Sequence, residues 1–126
     1  MKILILSCLL ILMLAACKDD AVEITSAGVT YEVLTTSGNW YGEYIDETGK
    51  KICFCSQPLP VGGWTHSFAV STKPFTLHID GTTECVCMGQ MGAPDVTTNI
   101  YVNKKLVATN TSNWAPGNAS ADFVIE

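Results

Sequence analysis

The chain reads as an all-β protein, a single antiparallel β-sandwich following a removable N-terminal leader. Three observations predict this. Apolar and polar residues alternate, as in Val29-Thr30-Tyr31-Glu32-Val33, the period of two expected of a half-buried strand. Gly, Pro and Asn clusters punctuate such runs at short intervals. No window carries the i, i+3, i+4, i+7 apolar stripe of an amphipathic helix.

The leader comes first. Met1-Lys2 is a short positive start, and Ile3 to Leu14 is apolar apart from Ser7 and Cys8. This is signal-peptide anatomy, and the stretch is too short for a membrane span, which needs about 20 apolar residues. It ends in Leu14-Ala15-Ala16-Cys17, a bacterial lipobox. Residues 1–16 are therefore expected to be removed and Cys17 to become the lipidated N-terminus. Several acyl chains on one residue hold a protein stably at a bilayer where a single chain does not. Lys18, Asp19 and Asp20 follow. They resemble the lysine-plus-acidic-pair signal that sends lipoproteins of Bacteroidetes-type bacteria to the outer face of the outer membrane. The cell surface is accordingly preferred to the periplasmic face.

Residues 17–28 read as tether and lead-in strand, and residues 29–126 as the sandwich. Val29, Tyr31 and Val33 share one face of the first strand. Trp40 to Asp46 is the next strand, and Asp46-Glu47-Thr48-Gly49 a hairpin loop with glycine where φ > 0 is needed. Lys50 to Gln57 returns, closed by Pro58-Leu59-Pro60. Trp64 to Val70 and Phe75 to Ile79 flank Pro74. Asp80-Gly81 reads as a two-residue type I′ hairpin, setting Ile79 opposite Thr82 and Leu77 opposite Glu84. Phe75, Leu77, Ile79, Val86 and Met88 then share a core face. Gln90 to Asp95 is loop. Thr97 to Val102 and Leu106 to Thr109 form a second hairpin around Asn103-Lys104, and Ser120 to Glu126 closes the domain.

Within this strand pattern, Val29-Thr30-Tyr31-Glu32-Val33, Leu59-Pro60 with Trp64-Thr65-His66-Ser67-Phe68, and Ile100-Tyr101-Val102-Asn103-Lys104 follow one another in an order that resembles the extracytoplasmic domain of the MmpS family and its lipoprotein relatives. The resemblance spans most of residues 29–124. It implies an immunoglobulin-like sandwich and an accessory role beside a large membrane complex. The chain departs from that family in having a lipobox where the family has a transmembrane helix, and in its paired cysteines.

Those cysteines are Cys53-Phe54-Cys55 and Cys85-Val86-Cys87. Residues two apart on a strand share a face. With Ile52, Phe54, Val86 and Met88 inward, all four thiols belong on the outer face. Three readings compete. In an exported protein an even number of cysteines reads first as disulfides. Counting reversals through the Asp80-Gly81 turn makes the two strands antiparallel and favours Cys53 with Cys87 and Cys55 with Cys85, since a bond within one Cys-x-Cys strains an extended strand. A Cys₄ metal site is the second reading, although Cys-x-Cys lacks the usual spacer. A redox pair is the third, and it is opposed by the missing arginine and by Glu84 beside Cys85.

Composition narrows the function. After the leader, six lysines, no arginine and twelve acids remain, the opposite of a nucleic-acid footprint. No Gly-x-Ser-x-Gly, phosphate loop or spaced nucleophile and base occurs, so no catalytic residue and no cofactor is expected. His66 and His78 read as ordinary strand histidines. Trp40, Tyr41, Tyr44, Trp64 and Trp114 read first as core ends and second as a stacking platform. The expected role is a non-enzymatic accessory or interaction module of an envelope complex, touching the membrane through its lipid and a protein partner through its loops, Trp114 in particular. The alternative is a ligand-binding domain, for glycan through the aromatics or for metal through the thiols.

Overall fold

The computed structural model describes residues 26–36, 39–56, 59–60, 62–83, 95–113 and 117–126. They form eight strands: β1 (Ala27–Thr35), β2 (Trp40–Ile45), β3 (Lys51–Cys53), β4 (Gly63–Val70), β5 (Phe75–Thr83), β6 (Val96–Val102), β7 (Lys105–Ser112) and β8 (Asn118–Ile125). The strands make two four-stranded sheets, β4-β1-β6-β7 and β3-β2-β5-β8. Every pairing is antiparallel. The protein is an all-β sandwich.

Alternation decides which side chains lie between the sheets. Val29, Tyr31 and Val33 of β1 are fully buried, as are Leu77 and Ile79 of β5 and Val96 and Ile100 of β6. Burying one such aliphatic side chain contributes about 1.5–3 kcal/mol. An exposed ion pair such as Lys51–Glu43, at 2.6 Å, contributes at most about 1 kcal/mol. The apolar rows therefore hold the layers together. Local turn chemistry sets two of the connections. In the β2–β3 loop, Asp46 Oδ1 accepts from the backbone N–H groups of Thr48 and Lys50, both at 2.9 Å, and Gly49 takes φ 79°. In the β6–β7 turn, Asn103 and Lys104 both have positive φ, 51° and 67°, the geometry of a type I′ hairpin.

One expected turn is absent. β5 runs straight through Asp80-Gly81, pairing with β2 on one side (Gly42 opposite Gly81) and β8 on the other (Gly81 opposite Ala119). Gly81 is glycine because the other sheet comes close there. A Cβ on it would stand 3.1 Å from Val96 Cγ2 and 3.3 Å from Val33 Cγ1. Glycine inside a strand marks close approach as readily as it marks a turn. The pairings of Ile79 with Thr82 and of Leu77 with Glu84 fall with that hairpin.

The loss of the reversal also changes the cysteine argument. Both β3 and β5 are antiparallel to β2, so they run parallel to each other and lie two strand spacings apart, about 9.5 Å. The structure joins Cys53 to Cys55 instead, with Cα atoms 5.2 Å apart, in place of Cys53–Cys87 and Cys55–Cys85. The pairing within one motif is open because β3 ends at Cys53. An extended strand would hold Cα atoms two residues apart at about 6.6 Å, and the chain contracts as it leaves the sheet. Cys85 and Cys87, with Val86 and Met88, lie outside the described residues, as do Cys17, Lys18, Asp19, Asp20 and Trp114.

Candidate functional site

The two lateral sides of the sandwich are built differently. On one, β7 and β8 approach and the Asn110 Nδ2 amide donates to the Ser120 carbonyl at 3.0 Å. On the other lie β4 and the short β3, and here side chains rather than strands fill the gap between sheets. Trp64, His66 and Phe68 alternate on the inward face of β4 and are each half-buried. Opposite them stand Trp40 and Tyr44 of β2 and Phe54, just beyond β3.

These rings form one contiguous row. Trp64 meets Phe54 at 5.3 Å, Tyr44 at 5.6 Å and Trp40 at 5.8 Å between centroids. His66 lies 5.0 Å from Tyr44, stacks on Trp64 with planes 15° apart, and touches Phe68, which leans on Tyr31 at 5.3 Å. Tilted and edge-on contacts at such separations add attraction beyond simple burial. The Nε2 atom of His66 is buried with no hydrogen-bond partner among the described residues. Among the described residues, this row of rings fills the side of the sandwich between β3 and β4.

Of the aromatic residues noted in the sequence, Trp40 is fully buried and Tyr44 nearly so, so both are core, the first of the two readings. Trp64 alone of the tryptophans lies half-exposed among the described residues. His66 and Phe68 were not legible as members of the row. Their signal is the period-two spacing Trp64, His66, Phe68, which marks a shared face but leaves open that β4 is an edge.

A second cluster occupies the outer face of the β3-β2-β5-β8 sheet. Lys51 Nζ meets Glu43, whose Oε1 lies 3.7 Å from His78 Nε2, and His78 Nδ1 meets Asp122 Oδ1 at 2.7 Å. His78 thus lies between two carboxylates on the outer face of the sheet. Asp80 sits in the same patch, and burial, then the nearby Glu43 carboxylate, hold its pKa above the ordinary aspartate value. Both imidazole nitrogens face carboxylates, and these orient the ring. No group of three metal-ligating side chains occurs among the described residues.

A shallow cleft of about 410 Å³ lies at one end of the β1–β4 pair, between Thr30, Ser67 and Phe68 on one flank and the Asn103-Lys104 turn on the other. Asn103 Oδ1 accepts the Gly28 N–H at 2.9 Å, so the turn is clamped to β1 and the cleft wall is rigid. No family model matches the chain, and no curated protein matches it.

Proposed function

We propose that the protein is a lipid-anchored, non-enzymatic sandwich of a bacterial outer membrane, facing the cell surface and serving as an interaction module in an envelope assembly. The observation that carries the reading is the open side of the sandwich, where Trp64, His66 and Phe68 line the β4 edge half-exposed. Aromatic side chains with one wet flank are typical of contact surfaces. The lipobox ending at Cys17 and the Lys18-Asp19-Asp20 run support the membrane placement. The resemblance to the MmpS family supports an accessory role.

The test is fractionation with affinity capture. Wild-type protein is expected to label with a palmitate analogue and to remain with membranes, and Cys17→Ser is expected to lose both properties. Capture from detergent-solubilised envelopes should recover a defined protein partner, either another copy of the chain or a different envelope protein. Continued acylation of Cys17→Ser overturns the anchor. A captured domain that binds only a defined glycan replaces the interaction module with a ligand binder.

A further inference from the structure

A sandwich of two four-stranded sheets has four edge strands, and each edge presents unpaired N–H and C=O groups that can template another strand. Folded proteins guard such edges with charge, shortness, bulges or cover. Three edges here are guarded. β3 has three residues, one of them Lys51. β7 begins with Lys105, pairs with β6 through an irregular register, and lies against β8. β8 carries Asp122. Among the described residues, β4 has none of these devices. Its eight residues, Gly63–Val70, contain no Asp, Glu, Lys, Arg or Pro, and they pair with β1 in unbroken register from Gly63–Leu34 to Val70–Ala27. Among the described residues, no strand pairs with β4 on its other side.

We propose that this edge pairs antiparallel with β4 of a second copy, joining two sandwiches through one continuous eight-stranded sheet. The inference rests on reading the β4 side as a contact surface and names the partner. Two observations point to a copy. A strand without Asp, Glu, Lys or Arg pairs with itself without setting two carboxylates or two ammonium groups opposite one another, which destabilises cross-strand neighbours, although the chain as a whole carries a net charge of −5. A dyad normal to the sheet also keeps inward residues inward. The row of Trp64, His66 and Phe68 then continues into its own symmetry mate, and two half-exposed aromatic rows cover each other. Outward-facing Thr65, Ser67 and Ala69 are exposed, so none of the described residues covers that face. Anchoring through Cys17 confines the copies to one plane and favours their encounter.

The experiment uses the full chain in its own membrane. A photo-reactive phenylalanine analogue is placed at Thr65, and the cross-linked product is sized and sequenced. A covalent species of twice the chain mass, containing only this sequence, is expected. In detergent micelles, sedimentation should give a protein mass of two chains. Thr65→Lys with Ser67→Lys sets ammonium groups against each other in either same-face register, with the dyad at His66 or at Ser67. That variant should raise the dissociation constant about tenfold or more. It should retain the wild-type circular dichroism spectrum, and Thr109→Lys on β7 should leave the dimer intact. A monomer in micelles together with a cross-link to a different protein overturns the copy while keeping the contact surface. A monomer that cross-links to nothing overturns both.

Discussion

The Tyr31 hydroxyl crosses from one sheet to accept the backbone N–H of His78 in the other at 3.3 Å, and it donates to the Ile45 carbonyl at 2.9 Å. The β2–β5 ladder runs from Trp40–Thr83 to Tyr44–Ile79, and Ile45 with His78 would be its next pair. A side chain of the first sheet thus stands in the ladder of the second at the point where direct pairing stops. Burial, opposed by the His78 hydrogen bond, holds the Tyr31 hydroxyl well above the usual tyrosine range, so it remains a donor at any physiological pH.

Tyr31→Phe keeps the ring and removes this bridge. Two part-buried backbone groups lose a partner, and the expected cost is about 1–3 kcal/mol, measured as a shift in the urea midpoint with unchanged slope. A loss below about 0.5 kcal/mol would mean that Ile45 and His78 pair directly once the hydroxyl is gone.

Gly42 cannot accept a side chain without displacing its neighbours. A Cβ there would collide with the Asp80 carbonyl oxygen and come within 2.8 Å of the Trp40 ring. Trp40 is fully buried and cannot swing aside without opening the core. Gly42→Ala is expected to destabilise by about 3 kcal/mol or more, seen as a lowered Tm and as a change in the near-ultraviolet signal of Trp40.

Asp80 gives a pH dependence of definite sign. Its folded pKa is raised above the ordinary value of 3.8 by burial and by Glu43. Its contribution to stability is therefore complete below that value and is lost as pH rises through the folded pKa. Asp80→Asn should be more stable than wild type near neutrality, with the difference shrinking toward about pH 4. Urea titrations at the two pH values check this, and a difference that grows on acidification would show the sign to be wrong.

The Cys53–Cys55 bond closes a very short loop. In the chain-entropy view its removal by Cys53→Ser with Cys55→Ser costs about 2 kcal/mol or less, whereas a cross-strand bridge closing roughly 30 residues would cost about 3–4 kcal/mol. Under oxidising conditions, the peptide holding both residues should weigh about two mass units less than after reduction. A loss of stability in the larger range would return the long-range pairing.

What the sequence disclosed and what it withheld divide along the range of the interaction involved. The Val29, Tyr31, Val33 face, the Asp46–Gly49 loop and the Asn103-Lys104 turn are set by neighbours along the chain, and all three are found as read. The outward placement of Cys53 and Cys55 follows from the same alternation and also holds. Asp80-Gly81 misleads because the reason for its glycine lies in Val33 and Val96, distant in sequence. The cysteine pairing inherits that error through the count of reversals. The open side, with its row of rings, was withheld for the same reason. Alternation shows which residues of β4 share a face, while only the strand order, decided by distant partners, makes β4 an edge.

The pairing of β5 with β8 bears on how the chain is made. β8 covers β5 along its length, from Thr82–Asn118 to Phe75–Ile125, and β1 finds its partner in β6 across a still wider gap, Tyr31 with Ile100. Neither sheet can be completed by the first half of the chain alone, and folding dominated by such distant pairings is slow. A ribosome must synthesise as far as Ile125 before Phe75 meets its neighbour. Until then β5 has β2 on one side and no strand on the other.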